Sequence, residues 1–425
     1  MGFLLFCVVP TLGVGTWAAV VRSSSYRTAQ KATWERTLSD QLGLVATLAA
    51  CRNPIRGVTV LEGLQLSDPE TGQRIATVRQ VDFGYSGGEL VVQAAQPEID
   101  GTHWRRLAEV LHERLLRSRR LSSLRARLII GELSVHHADN RSASTWTDIE
   151  GRLVPSDTGP QLTFEFREAA ARTAEPVRLC VTRNRQVSPP ITRWELHART
   201  TPLPCALLAD QFPLLGHLGA NATFQGDVDA MPAADGWQGE CTGRFRGVDL
   251  DRLVTDHFEH KLCGTAEVIL RRASFRGGKL QDAAGELLCD SGVISWSLLD
   301  QAERALGLVA AERVFRNKQE PLWPYRQLRF AFELSQAGLR LVGRCSGAGE
   351  GVVLADQEGP LLRDKPEAVV QAVALVRALA FKRGDELPAT YEAYQLLHVL
   401  PVPSHEAAPS LSNGPPLYSP VRLRQ

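Results

Sequence analysis

The sequence predicts a mainly β protein, an antiparallel sheet with a few short helices carried behind an N-terminal transmembrane helix. Three observations make that prediction. Apolar and polar residues alternate with a period of two in one short segment after another. Glycine-rich turns, SGG at 86–88, RGG at 276–278 and SGAGEG at 346–351, punctuate those segments. A run of twenty uncharged residues, GFLLFCVVPTLGVGTWAAVV, occupies positions 2–21.

That run has about the ~20-residue length a helix needs to cross a bilayer. Pro10 and the glycines are tolerated in such a helix. No basic segment precedes it and the small-x-small cleavage pattern is weak, so it reads as a single-pass anchor and not a signal peptide. Arg22, Arg27, Lys31 and Arg36 follow it. By the positive-inside rule they leave the body in the cytoplasm, unless Met1 is an internal start and a basic leader precedes it. Residues 22–52 then form a juxtamembrane segment, with a linking helix near 39–50. The β-rich body is expected over 53–400, followed by a Pro-rich disordered tail at 401–425 with six prolines.

Within the body the strands declare themselves by alternation. QLTFEFR puts Leu162, Phe164 and Phe166 on one face and Thr163, Glu165 and Arg167 on the other. RWELHAR does the same with Trp194, Leu196 and Ala198, and NATFQGDVDA with Ala222, Phe224, Gly226, Val228 and Ala230. ECTGRFRG, LRFAFEL and LRLVGRC continue the pattern. One wet and one dry face is the habit of antiparallel sheets. Small residues on the dry faces, Gly226, Gly243 and Gly247 among them, point to an open, groove-like body, because they fill a close-packed sandwich poorly. Helical periodicity interrupts at 104–127, 297–315, after Asp364 to 384, and at 388–400. The first of these is arginine-rich, which suits a solvated outer face.

Composition narrows the function. With 48 Lys and Arg against 47 Asp and Glu, the chain has no overall field to attract nucleic acid. Eight scattered cysteines, with no CxxC pair, fit small buried hydrophobes better than a disulfide framework. No nucleophile elbow, phosphate loop or dinucleotide fingerprint is present, and no cofactor is expected. Two clusters have metal-ligating or acid-base side chains. His257, His260 and Cys263 stand at three-residue spacing beside Asp249, Asp251 and Asp256. A structural zinc site needs four ligands and a catalytic one three plus a water, and no fourth is identifiable, so no metal is assigned. His136, His137 and Asp139 close the alternating segment ELSVHH, where polar residues are ordinarily just solvated. No catalytic residue is assigned. A hydrolase or metal-dependent enzyme of the envelope, working through His136 and His137 or through His257 and His260, is one alternative function. A structural or adhesive β-sandwich is another.

The stretch LGANATFQGDVDAMPAADGWQGECTGRFRGVDLDRLV, with LCGTAEVILRRASFRGGKLQDAAGELLCDSGVIS after it, resembles the AsmA-like family, membrane-anchored relatives of the translocation and assembly module protein TamB. The shared style is a strand pair ending in a "G.f..vdL..L" phrase and then a "l.G.a.v.l....f..G.l....g.l....G.i" phrase, here 243–253 and 262–294. The resemblance implies an elongated, curved antiparallel sheet, groove-like or partly closed, whose apolar face holds phospholipid acyl chains. It implies no catalysis. It places the protein at the inner membrane of the cell envelope, single-pass, with the body in the periplasm, serving lipid transport or outer-membrane assembly and maintenance. The chain is short for the family, and its anchor lacks the usual leading basic residues.

Overall fold

Alternating strands need a neighbour on each side, and this chain supplies most neighbours in sequence order. The computed structural model describes residues 24–55, 57–119, 123–136, 143–171, 174–209, 212–316, 321–380 and 390–401. Helix α1 (Ser24–Leu42) leads to β1 (Val45–Thr47) and β2 (Ala50–Ile55), which pair with different parts of β3 (Val58–Ser67). β4 (Arg74–Ser86) and β5 (Glu89–Asp100) extend the meander. Helix α2 (Trp104–Val110), continued by a π-helical turn at Leu111–Leu116, then carries the chain across, and β6 (Ala126–His136) runs parallel to β5. A parallel pair demands such a crossover, whereas antiparallel pairs close with tight turns.

From there each strand pairs antiparallel with the next: β7 (Ala143–Pro155), β8 (Pro160–Glu168), β9 (Val177–Asn184), β10 (Ile191–Pro204), β11 (Thr223–Ala233), β12 (Gly236–Asp249), β13 (Leu262–Arg276) and β14 (Lys279–Ser295). The C-terminal part holds α3 (Trp296–Leu306), β15 (Leu308–Ala310), α4 (Glu312–Arg316), β16 (Leu322–Tyr325), β17 (Gln327–Ser335), β18 (Gly338–Gly343), β19 (Val352–Ala355), β20 (Pro360–Asp364), α5 (Val373–Leu379) and α6 (Tyr391–Val399). β14 pairs with β16 at one end and with β17 along the rest. Among the described residues all twenty strands belong to one long sheet, mostly antiparallel and not closed.

Several helices are shorter than the periodicity predicts. The expected helix at 104–127 stops at Leu116, and its last residues already belong to β6. The expected linking helix at 39–50 is instead the end of α1: Gly43, at φ 68°, breaks it, and strands begin at Val45. The expected helix at 297–315 is two. Ser295 caps the start of α3 by accepting from the Leu298 N–H, and Gly307, left-handed at φ 67°, ends it before β15. After Asp364 only Val373–Leu379 is helical, 381–389 lying outside the described residues. Of the helix expected at 388–400, Tyr391–Val399 forms, capped by Thr390. The apolar run at 2–21 and the tail at 402–425 also lie outside the described residues. Among the described residues no helix is long and apolar enough to cross a membrane.

Because cross-strand partners project to the same side of a sheet, the register sorts side chains into faces. One row of partners runs through thirteen strands, β4 to β14 and then β17 and β18: Phe83, Val92, Leu128, Gly151, Phe164, Leu179, Leu196, Val228, Cys241, Ala273, Ala283, Leu334 and Leu339. Every member is apolar. The row beside it, from Leu90 through Ala126, Leu153, Leu162, Val181, Trp194, Ala230, Gly239 and Phe275 to Leu280, is apolar too. The opposite face reads Glu150, Glu165, Arg178, His197, Asp227, Thr242. Arginines there end on carboxylates: Arg127 on Glu150 at 2.7 Å, Arg178 on Glu165 at 2.7 Å, Arg244 on Glu267 at 2.9 Å and Arg272 on Asp282 at 2.6 Å.

The glycines of the apolar face do not leave it empty. Gly226 and Gly243 are direct partners, and the Phe224 ring crosses both: a Cβ on Gly226 would stand 2.9 Å from its Cζ, and one on Gly243 3.0 Å from its Cε2. Phe164 covers Gly151 and Phe332 covers Gly285 in the same way, each at 2.9 Å. Phenylalanine rings laid across glycine take the place of a covering layer at these points.

Candidate functional site

The apolar face could take an apolar ligand, and its cover is uneven. At the C-terminal end, Leu298, Leu299 and Ala302 of α3 pack on Val248, Trp323, Leu354 and Leu361. There α5 and α6 bring Val376, Ala393 and Leu400 onto Ala273, Ala283, Leu334 and Leu339. At the other end Trp34 of α1 meets Phe83 edge-on, with ring centroids 5.0 Å apart. Between these ends Val92, Leu128, Phe164, Leu179, Leu196 and Val228 are only half-buried although all are large and apolar. The surroundings are apolar enough that burial pushes the Cys241 thiol pKa up to about 12.

The histidine and cysteine candidates do not converge. His260 is buried, with Nδ1 2.9 Å from the Ser297 hydroxyl and the Ala378 carbonyl alongside its ring, and burial lowers its pKa. His257 turns instead to His217, ring centroids 4.4 Å apart and edge to face. Cys263 donates to Asp251 Oδ1 at 3.3 Å, and the same oxygen accepts from Lys261 Nζ at 2.5 Å. The Lys261 hydrogen bond, chiefly, holds the Asp251 pKa down to about 2. Burial first and Asp251 second push the Cys263 thiol up, away from the thiolate a nucleophile or ligand needs. A shallow cavity of about 290 Å³ beside this group is lined by Asn221, Asp249, Asp251, Cys263 and Thr265 among others. Among the described residues no three His, Cys, Asp or Glu side chains are placed to share a metal ion. His136 is exposed at the end of β6, opposite Ala143 in register, while His137 and Asp139 lie outside the described residues. The seven described cysteines are free thiols.

No family model, curated protein or solved structure matches this chain. What it can bind therefore rests on its own surfaces.

One group escaped the sequence reading. Arg183 of β9 projects to the apolar side, two positions beyond Val181, and its register partner is the buried Thr192. Its Nη1 donates to Thr192 Oγ1 at 2.7 Å and to His112 Nε2 at 3.2 Å. His112 comes from the π-helical turn and contacts Glu113 through Nδ1 at 3.0 Å. Arg185 donates to the carbonyls of Leu116 and Ser118 at 2.8 and 2.9 Å, and Arg117 pairs with Glu113 at 2.5 Å. The signal was in VRLCVTRNR: Val177, Leu179 and Val181 alternate correctly, and then the next same-face position holds a charge.

Proposed function

We propose that this chain is a membrane-anchored envelope protein of the AsmA-like type, which holds lipid acyl chains along the apolar face of its sheet and performs no chemistry. In this proposal the sheet is elongated and curved into an open or partly closed groove. The uncharged run at 2–21 is its single-pass anchor in the inner membrane, and the body lies in the periplasm. The protein there serves lipid transfer or outer-membrane assembly and maintenance.

The observation that carries the reading is the half-buried apolar row from Val92 to Val228, backed by an ion-paired opposite face on a sheet that does not close. A side chain such as Leu179 exposes surface that an acyl chain can cover, and each methylene so removed from water is worth about 0.8 kcal/mol. A chain lying across several strands would gather several such contributions without any polar contact. The cross-strand ion pairs keep the other face wet, so the two faces are not interchangeable.

The full chain, purified from membranes in a mild detergent and released in native mass spectrometry, should carry phospholipid. Stoichiometric zinc without any phospholipid would overturn this reading in favour of a metal-dependent one.

A further inference from the structure

We propose that Arg183 is the contact for a phosphate group at the turn-side rim of the apolar face. Resting on the lipid-holding role above, we assign that phosphate to the head group of a lipid whose chains lie on the face. Position comes first. Arg183 stands one register row beyond Val181 and Trp194 and two beyond Leu179, so its Cα is about 14 Å along the strand from the half-buried row. Beside it, Leu116 of the π-helical turn is fully buried against Leu153, Leu162 and Val181, so the guanidinium sits where apolar cover gives way to the turns.

Charge comes second. On the wet face Arg127, Arg178, Arg193, Arg244 and Arg272 each end on a carboxylate. Among the described residues Arg183 has no such partner, and its hydrogen bonds leave from Nη1 alone, toward neutral Thr192 and the His112 ring. Its charged surroundings are Arg117, Arg185 and one carboxylate, Glu113, which Arg117 already holds. Burial, and then repulsion from Arg117 and Arg185, depress its pKa, a sign that the site is short of negative charge. Thr192 and His112 fix one edge of the planar fork and leave its other N–H groups for an anion. Phosphate oxygens match that fork in geometry, and the charge-assisted bonds are about twice as strong as neutral ones.

The test uses the full chain in detergent, offered an equimolar mixture of a phosphatidylglycerol and a diacylglycerol with the same acyl chains, and native mass spectrometry reads the ratio retained. Wild type should favour the phosphate-bearing lipid about tenfold, Arg183→Gln should bring the ratio close to one, and Arg183→Lys should keep much of the preference. Matching thermal melts for the two variants would show that both fold. An unchanged ratio in Arg183→Gln overturns the proposal. Should wild type retain neither lipid, the lipid-holding reading fails, and titration with inorganic phosphate decides the rim by itself. Phosphate binding that Arg183→Gln abolishes upholds an anion site supplied by soluble phosphate, and absence of phosphate binding overturns that too.

Discussion

The same apolar face is sealed at one end of the sheet and carries a half-buried row through its middle. Around β14 to β20 it is sealed: Leu299, Leu354, Leu361 and Val376 expose essentially nothing, because α3 and α5 lie on it. In the row of partners Ala273, Ala283, Leu334 and Leu339 are buried there, whereas across β5 to β11 Val92, Leu128, Phe164, Leu179, Leu196 and Val228 remain half-buried between the buried Leu162 and Val181 on one side and Val177 and Ala198 on the other. Strand chemistry is alike in both regions; the helices differ. Apolar alternation thus specifies a dry face, and only the connections decide whether that face is filled by the chain itself.

Substitutions should separate the two regions by effects of different size. The largest belongs to the sealed end, where Leu299→Ala should cost about 3 kcal/mol in urea unfolding, from lost burial and the cavity left behind. Next comes the glycine floor. A Cβ on Gly226 would stand 2.1 Å from the Thr242 carbonyl oxygen, so Gly226→Ala should lose about 2 kcal/mol by overpacking. In the middle, Leu179→Ala should cost only about 1 kcal/mol, since that side chain is only half-buried, yet reduce retained lipid several-fold. A loss there equal to that of Leu299→Ala would make the whole face a core and remove the distinction. On the wet face Arg178→Ala should cost less than about 1 kcal/mol and leave lipid retention alone, because its pair with Glu165 is solvent-screened.

The smallest effect is in acid. The Asp251 pKa is depressed to about 2, so its contribution is complete above the ordinary carboxylate pKa of about 4 and is lost as pH falls towards 2. Unfolding midpoints measured across that window should therefore fall less steeply in Asp251→Asn than in wild type.

Strands were legible because alternation is local: QLTFEFR and RWELHAR need only themselves to announce a two-faced strand, and both are strands. Helix lengths were less legible. The apolar stripe from Leu107 to Leu115 says helix, but nothing local says that Ala126 will be needed beside Leu90 and Leu153. Gly307, near the end of a good amphipathic pattern, stops α3 where a strand is wanted to pair with β20. The phenylalanine-over-glycine contacts were invisible, since Phe164 and Gly151 meet only through register. The rim cluster failed for the same reason: His112 and Arg183 are 71 residues apart, and composition cannot join them. Closeness in sequence, conversely, does not bring His257, His260 and Cys263 together: each side chain has a different neighbour.

The single parallel step between β5 and β6 has a further consequence, for the order in which the molecule is made. From β3 to β14 every strand but β6 can dock antiparallel on the strand just before it, so the sheet can lengthen hairpin by hairpin as the chain emerges. Local contacts of this kind form quickly, and longer excursions are slower because the loop entropy must be met before any pairing rewards it. At residues 101–125 the growing edge must wait for a whole crossover before β6 can arrive in the same direction as β5. That junction is the natural pause in assembly, and β5 is the edge left open while it lasts.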